Sequence, residues 1–113
     1  MIKIYHNPRC RKSREGLEIL EKSGKPFEIV KYLEDTPSEA ALKTLIGNLG
    51  IAPTDLVRKN EAIWKEQFKG KNLSDDAIIK AMVTHPKLIE RPIVVNGKKA
   101  VIGRPPEKIK HIL

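Results

Sequence analysis

The sequence contains a single cysteine, Cys10, so no internal disulfide, CxxC redox pair or cysteine-based zinc cluster can form. Aromatic residues make up only 4% of the 113-residue chain, which leaves little for stacking on bases. Nor do its 22 Lys and Arg residues form a block; beyond the first loop the densest groupings are pairs such as Arg58-Lys59 and Lys98-Lys99. Both features argue against a nucleic-acid partner. No apolar run approaches the roughly 20 residues that a membrane helix needs. The opening Met1-Ile2-Lys3-Ile4-Tyr5 alternates like a strand and lacks the apolar core of a signal peptide. A cytoplasmic protein with no membrane partner is therefore expected. The three histidines, His6, His85 and His111, are too scattered to suggest a metal site.

What is present is positive charge on a foldable background. A net charge of +8 favours anionic partners such as phosphate-like oxyanions or acidic cofactors. With 40% hydrophobic and 32% charged residues, the chain has the composition of one compact domain, 1–113, large enough for a core without staples. If it performs redox chemistry, the second thiol has to come from another molecule.

The hydrophobic period alternates between that of a strand and that of a helix along the chain. Ile2 to Tyr5 reads as a strand, and His6-Asn7-Pro8-Arg9 as a loop, because Asn-Pro interrupts regular structure. A helical pattern begins near Cys10, with Leu17 and Leu20 on one face and Gly24 as its stop. Phe27 to Tyr32 reads as a second strand, and strand–helix–strand predicts a parallel pair. Thr36, Pro37 and Glu39 suit N-cap, N1 and N3 of a helix whose buried face is Leu42, Leu45, Ile46 and Leu49. Pro53-Thr54-Asp55 opens another helical stretch carrying Leu56, Val57, Ile63 and Trp64. Ser74-Asp75-Asp76 caps a third helix with Ile78, Ile79, Met82 and Val83 inside, stopped by Pro86. Residues of about 36–86 thus form a helical block between strands. Asn96-Gly97 between Ile93-Val94-Val95 and Lys98 to Ile102 predicts a hairpin with a type I′ turn. A terminal helix follows, with Ile109 and Ile112 inward. The expected fold class is α/β: a mixed sheet built as βαβ then ββα, with the helical block inserted.

Cys10 lies after a strand, at the mouth of the first helix, where free N–H groups and the helix dipole stabilise an anion. Arg9, Arg11, Lys12 and Arg14 surround it, so a nucleophilic thiolate is expected. Ser13 could donate a hydrogen bond to that thiolate or cap the helix. His6 could supply charge or a hydrogen bond to Cys10, or order the loop together with Asn7. Arg91 precedes the hairpin and Arg104 follows it. Because a hairpin reverses direction, both can converge on one end of the sheet. Arg58 stands in the helical block. Guanidinium forks suit tetrahedral oxyanions bidentately, although spacing alone gives each arginine the ordinary reading of a surface residue.

Four segments together carry a resemblance: His6-Asn7-Pro8-Arg9-Cys10 with Ser13-Arg14, Leu56-Val57-Arg58-Lys59-Asn60, His85-Pro86 through Arg91-Pro92-Ile93-Val94-Val95, and Gly103-Arg104-Pro105. In order and spacing they resemble the glutaredoxin-coupled arsenate reductase family over essentially the whole chain. The resemblance implies a thioredoxin-like fold with an inserted helical subdomain and a cis Pro92 facing the cysteine loop. It also implies that Cys10 is the nucleophile, that Arg58, Arg91 and Arg104 bind the oxyanion, and that His6 and Ser13 tune the cysteine. The implied reaction, part of arsenic detoxification, is reduction of arsenate to arsenite. Glutathione would be co-substrate and glutaredoxin the protein partner, with no metal or bound organic cofactor. One departure stands out. The family commonly has Gly-Thr between cysteine and serine, where this chain has Arg11-Lys12. Those bulky cations are the best support for a second possibility, a glutathione-dependent thiol oxidoreductase without arsenate activity. A third is a regulator resembling the Spx-type proteins, which share the fold and contact RNA polymerase. The redox-sensing members use a CxxC switch, whose second position is Ser13 here.

Overall fold

Alternation buries Ile2 and Ile4 on one face of strand β1 (Ile2–Tyr5), while Lys3 between them is exposed. In the computed structural model, which describes residues 1–113, β1 lies at the centre of a four-stranded sheet. Strand β2 (Phe27–Val30) runs parallel to β1 on one side, with Ile4 opposite Ile29. Strand β3 (Ile93–Asn96) runs antiparallel on the other, with Ile4 opposite Val94. Strand β4 (Lys99–Ile102) completes the hairpin, so the order is β2-β1-β3-β4. This is the mixed sheet of a thioredoxin-like fold with an inserted helical subdomain.

Helix α1 (Arg11–Ser23) crosses over between β1 and β2 and ends at Gly24, whose positive φ of 73° suits glycine. Its buried stripe is Ser13, Gly16 and Leu20, a spacing of one helical face. Leu17 is only partly buried against the cluster of Ile2, Ile4, Leu20, Val94 and Ile109. That cluster is the core of the unit made of Met1–Asp35 and Arg91–Leu113.

Thr36–Glu90 forms a second compact unit. It contains α2 (Glu39–Leu49), α3 (Ala62–Gln67) and α4 (Asp75–Thr84). Leu42, Leu45 and Ile46 of α2, and Ile78, Ile79, Ala81 and Met82 of α4, are buried. No helix anywhere in the chain is long and apolar enough to cross a membrane.

Several boundaries differ from the pattern of the sequence. Strand β2 stops at Val30, because the chain turns at Lys31, whose carbonyl accepts from the N–H groups of Glu34 and Asp35. The cap of α2 is Ser38 rather than Thr36: its hydroxyl accepts from the Ala41 N–H, which leaves Pro37 outside the helix. The stretch from Pro53 to Trp64 is not one helix. A 3-10 turn over Pro53–Leu56 ends where Val57 makes an isolated antiparallel bridge to Ile89, and α3 starts afresh. Asn96 pairs with Lys99, so the hairpin loop is Gly97-Lys98 rather than Asn96-Gly97. Gly97 has φ 64°, and no residue other than glycine has positive φ, which is the type II′ pattern, not I′. The terminal helix is a 3-10 segment, Pro106–Ile112, with Ile109 buried and Ile112 half-buried.

Candidate active site

The loop from β1 into α1 is pinned at several points before Cys10 enters the helix. The Cys10 N–H donates to the Asn7 carbonyl at 3.0 Å, and the Arg9 N–H donates to Asn7 Oδ1 at 3.0 Å. Arg14 reaches back from the first turn and donates through Nη1 to the Pro8 carbonyl at 3.0 Å. Cys10 itself is the N-cap, in extended conformation, and its carbonyl accepts from the Arg14 N–H at 3.0 Å. The thiol therefore stands, half-buried, at the positive end of a 13-residue helix with no acidic residue in its first turn.

Two flanking groups complete the unit. Arg104 points its Nη2 at Cys10 Sγ, 3.5 Å away, and its Nε donates to the Arg91 carbonyl at 2.8 Å. A backbone bond from Gly103 N–H to Pro92 O, 2.8 Å, ties the two ends of the hairpin together. The Arg91–Pro92 and Arg104–Pro105 peptides are both cis. Thus Cys10, Arg104 and the Arg91 backbone come together at one end of the sheet. Gly16 and Gly103 make this approach possible. A Cβ on either would sit 2.9 Å from Pro92 Cγ and 2.9 Å from Ile109 Cδ1.

His6 and Ser13 find each other instead of the sulfur. Ser13 Oγ is fully buried, accepts from the Asn7 N–H at 3.0 Å and lies 2.7 Å from His6 Nδ1. Burial pushes the His6 imidazole below its usual value, and the cations Lys31 and Arg14 act in the same direction. The hydrogen bond at Ser13 opposes them without reversing the shift. Near neutral pH this is a neutral ring that orders the loop by hydrogen bonding rather than a second cation beside the thiol.

Arg11 and Lys12 turn along the helix surface. Both pair with Glu15, at 3.3 and 3.5 Å, and their side chains are 83% and 46% exposed. Arg58 belongs to the other compact unit. There its Nη1 bonds Glu61 Oε2 at 3.0 Å and its Nε lies 3.6 Å from Glu90 Oε1. Glu90 does not stand out in the sequence, since only the bridge between Val57 and Ile89 brings it to Arg58, whereas Glu61 lies three residues on, within reach of a local turn. Gly16 did carry a sign, as a glycine inside a helical pattern is there for close packing more often than for the helix.

A free thiol at a helix N-terminus, an arginine aimed at it, and a cis proline in a mixed sheet define a thioredoxin-like thiol protein. The ArsC family model matches residues 5–112, and the chain belongs to that family. It is similar to the "uncharacterized protein YfgD" of Escherichia coli K12, at 48% identity over 99% of this chain and 96% of the relative. It is also similar to a Neisseria meningitidis protein named arsenate reductase, at 44% identity over 99% of this chain and 97% of the relative. A solved arsenate reductase from Vibrio cholerae superposes with a TM-score of 0.95 at 49% identity, covering 99% of this chain and 97% of that one.

Proposed function

We propose that this protein reduces arsenate to arsenite, using Cys10 as nucleophile, glutathione as co-substrate and glutaredoxin as partner. The observation that carries the proposal is Arg104 Nη2 held 3.5 Å from Cys10 Sγ at the N-terminus of α1, in a chain of the ArsC family. An arginine there can receive the oxygens of a tetrahedral anion as the sulfur attacks its centre. In this reading the Cys10 thiolate displaces one arsenate oxygen as water, and Arg104, Arg91 and Arg58 hold those that remain. The glutathione thiol then displaces a second oxygen of the adduct, which leaves as water, so that arsenic(V) carries both sulfurs. A glutaredoxin thiolate attacks the glutathione sulfur. A disulfide forms between those two sulfurs, and the electron pair of the broken sulfur–arsenic bond reduces arsenic(V) to arsenic(III). Hydrolysis from Cys10 frees arsenite and returns the thiol. With one cysteine in the chain, both further thiols come from outside, and the reaction uses no resident metal or organic cofactor.

The exposed, paired positions of Arg11 and Lys12 favour this reading, because neither cation is turned toward Cys10 by its ion pair. A second reading, a glutathione-dependent thiol oxidoreductase without arsenate activity, is favoured by the two carboxylates on Arg58. The deciding measurement is arsenate-dependent NADPH consumption coupled through glutathione, glutaredoxin and glutathione reductase. Turnover that vanishes by at least about a thousandfold in Cys10→Ser supports the proposal. NADPH consumption with a disulfide substrate but none with arsenate would favour the second reading.

A further inference from the structure

Arg58 is held by backbone design rather than by a chance rotamer. Its N–H donates to the Leu88 carbonyl at 2.7 Å, and the Glu90 N–H donates back to the Leu56 carbonyl at 2.9 Å. This two-way bridge sets Arg58 beside Glu90. A turn in which the Glu61 N–H donates to the Arg58 carbonyl at 3.2 Å sets Glu61 on the other flank. Nη1 is then claimed by Glu61 and Nε by Glu90, with side chains 23%, 29% and 25% exposed for Arg58, Glu61 and Glu90. One guanidinium between two carboxylates has its positive charge offset from both sides, partly shielded from water, where charges act more strongly than at an open surface.

We infer that Glu61 and Glu90 are specificity-determining residues that neutralise Arg58 and weaken its hold on multiply charged oxyanions. The inference rests on the proposal that Arg58 helps to hold the substrate, and it deepens it. A dianion reaching Arg58 has to displace a carboxylate or accept its repulsion. The penalty grows with the charge of the ligand, so a singly charged anion suffers less. Glutamine in either position keeps the size and an acceptor oxygen and removes the charge.

The experiment is titration of the full chain with sodium arsenate, and separately with sodium nitrate, at constant ionic strength. Isothermal calorimetry reads binding directly. Fluorescence of Trp64, the one tryptophan, gives a second readout, since it sits in α3 with its backbone N–H on the Glu61 carbonyl at 3.1 Å. The proteins are wild type, Glu61→Gln, Glu90→Gln, the double variant, and the double variant carrying Arg58→Ala, each checked for folding by circular dichroism. Arsenate affinity should rise about fivefold in each single variant and further in the double. Nitrate affinity should rise less, and adding Arg58→Ala should erase the gain. Unchanged or weaker arsenate binding overturns the inference, as does an equal gain for nitrate or a gain that survives Arg58→Ala. Absence of saturable arsenate binding in the double variant overturns it too. Wild-type turnover of arsenate without these affinity changes removes only the carboxylate clamp. The affinity changes without turnover in any variant remove only the reductase reading.

Discussion

In the unit formed by Met1–Asp35 and Arg91–Leu113, Arg104 is aimed by a backbone carbonyl, and its guanidinium meets the Cys10 sulfur. In Thr36–Glu90, Arg58 is aimed by two carboxylates. A carbonyl orients a guanidinium and leaves its positive charge in place. A carboxylate orients it and cancels that charge. The same residue type is therefore turned toward the sulfur in one unit and held between two carboxylates in the other. Glycines show a parallel contrast. Gly16 of α1 is wedged against Pro92 and Ile109, whereas Gly47 of α2 has nothing within 4 Å of the Cβ it lacks.

The largest test of this contrast is kinetic. Arg104→Ala should lower kcat/KM for arsenate by about a hundredfold, the usual effect of losing a donor at a reacting centre. Arg104→Lys should recover only part of that, because charge returns without the fork. Arg58→Ala should cost less, about tenfold or below, since two carboxylates already offset its charge. Steady-state rates in the coupled assay decide the order, and an equal or larger loss at Arg58 breaks the comparison.

Next in size is a substitution whose sign should reverse between the units. Gly16→Ala gains helix propensity but forces Pro92 or Ile109 to move, for a net loss of about 1–2 kcal/mol. Gly47→Ala meets open space in a helix and should gain about 0.5–1 kcal/mol. Urea unfolding of the two variants measures both. Stabilisation by Gly16→Ala would mean that α1 does not press on Pro92 as described.

The smallest effect is expected at His6. Its folded value lies below 6.5, the value it takes when unfolded. Between the two, the unfolded chain binds more protons, so stability from this group is complete above about pH 6.5 and declines as pH falls. Wild type should thus lose more stability than His6→Asn on going from neutral to acidic pH. Melting temperatures of both proteins across that range report the difference, and parallel curves would show that burial of His6 is not the cause.

Local chemistry accounts for much of the architecture. Alternation marked β1, the Gly24 and Gly50 stops ended their helices in left-handed conformations, and Ser74 capped α4. These signals act over a few residues and survive any tertiary setting. Pro53 to Trp64 misled because its apolar spacing fits a helix, while the bridge from Val57 to Ile89 takes backbone donors and acceptors that the helix would need. The hairpin loop shifted by one residue because sheet register, with Asn96 opposite Lys99, overrides the preference of the Asn-Gly pair.

The candidate site divides in the same way. By itself the sequence determined that one thiol would stand at a helix mouth among cations, because Cys10 and its basic neighbours lie within a few residues of each other. It also placed Arg91 and Arg104 at one end of a hairpin, since hairpin geometry follows from the turn. Tertiary structure decided which group each one meets: Ser13 with His6, Arg104 with the sulfur, Gly16 with Pro92, and Arg58 with Glu90, while Glu61 reaches Arg58 through a local turn. Whether a charged side chain remains a charge or becomes half of an ion pair depends on what folding brings within about 4 Å, and no local pattern carries that distance.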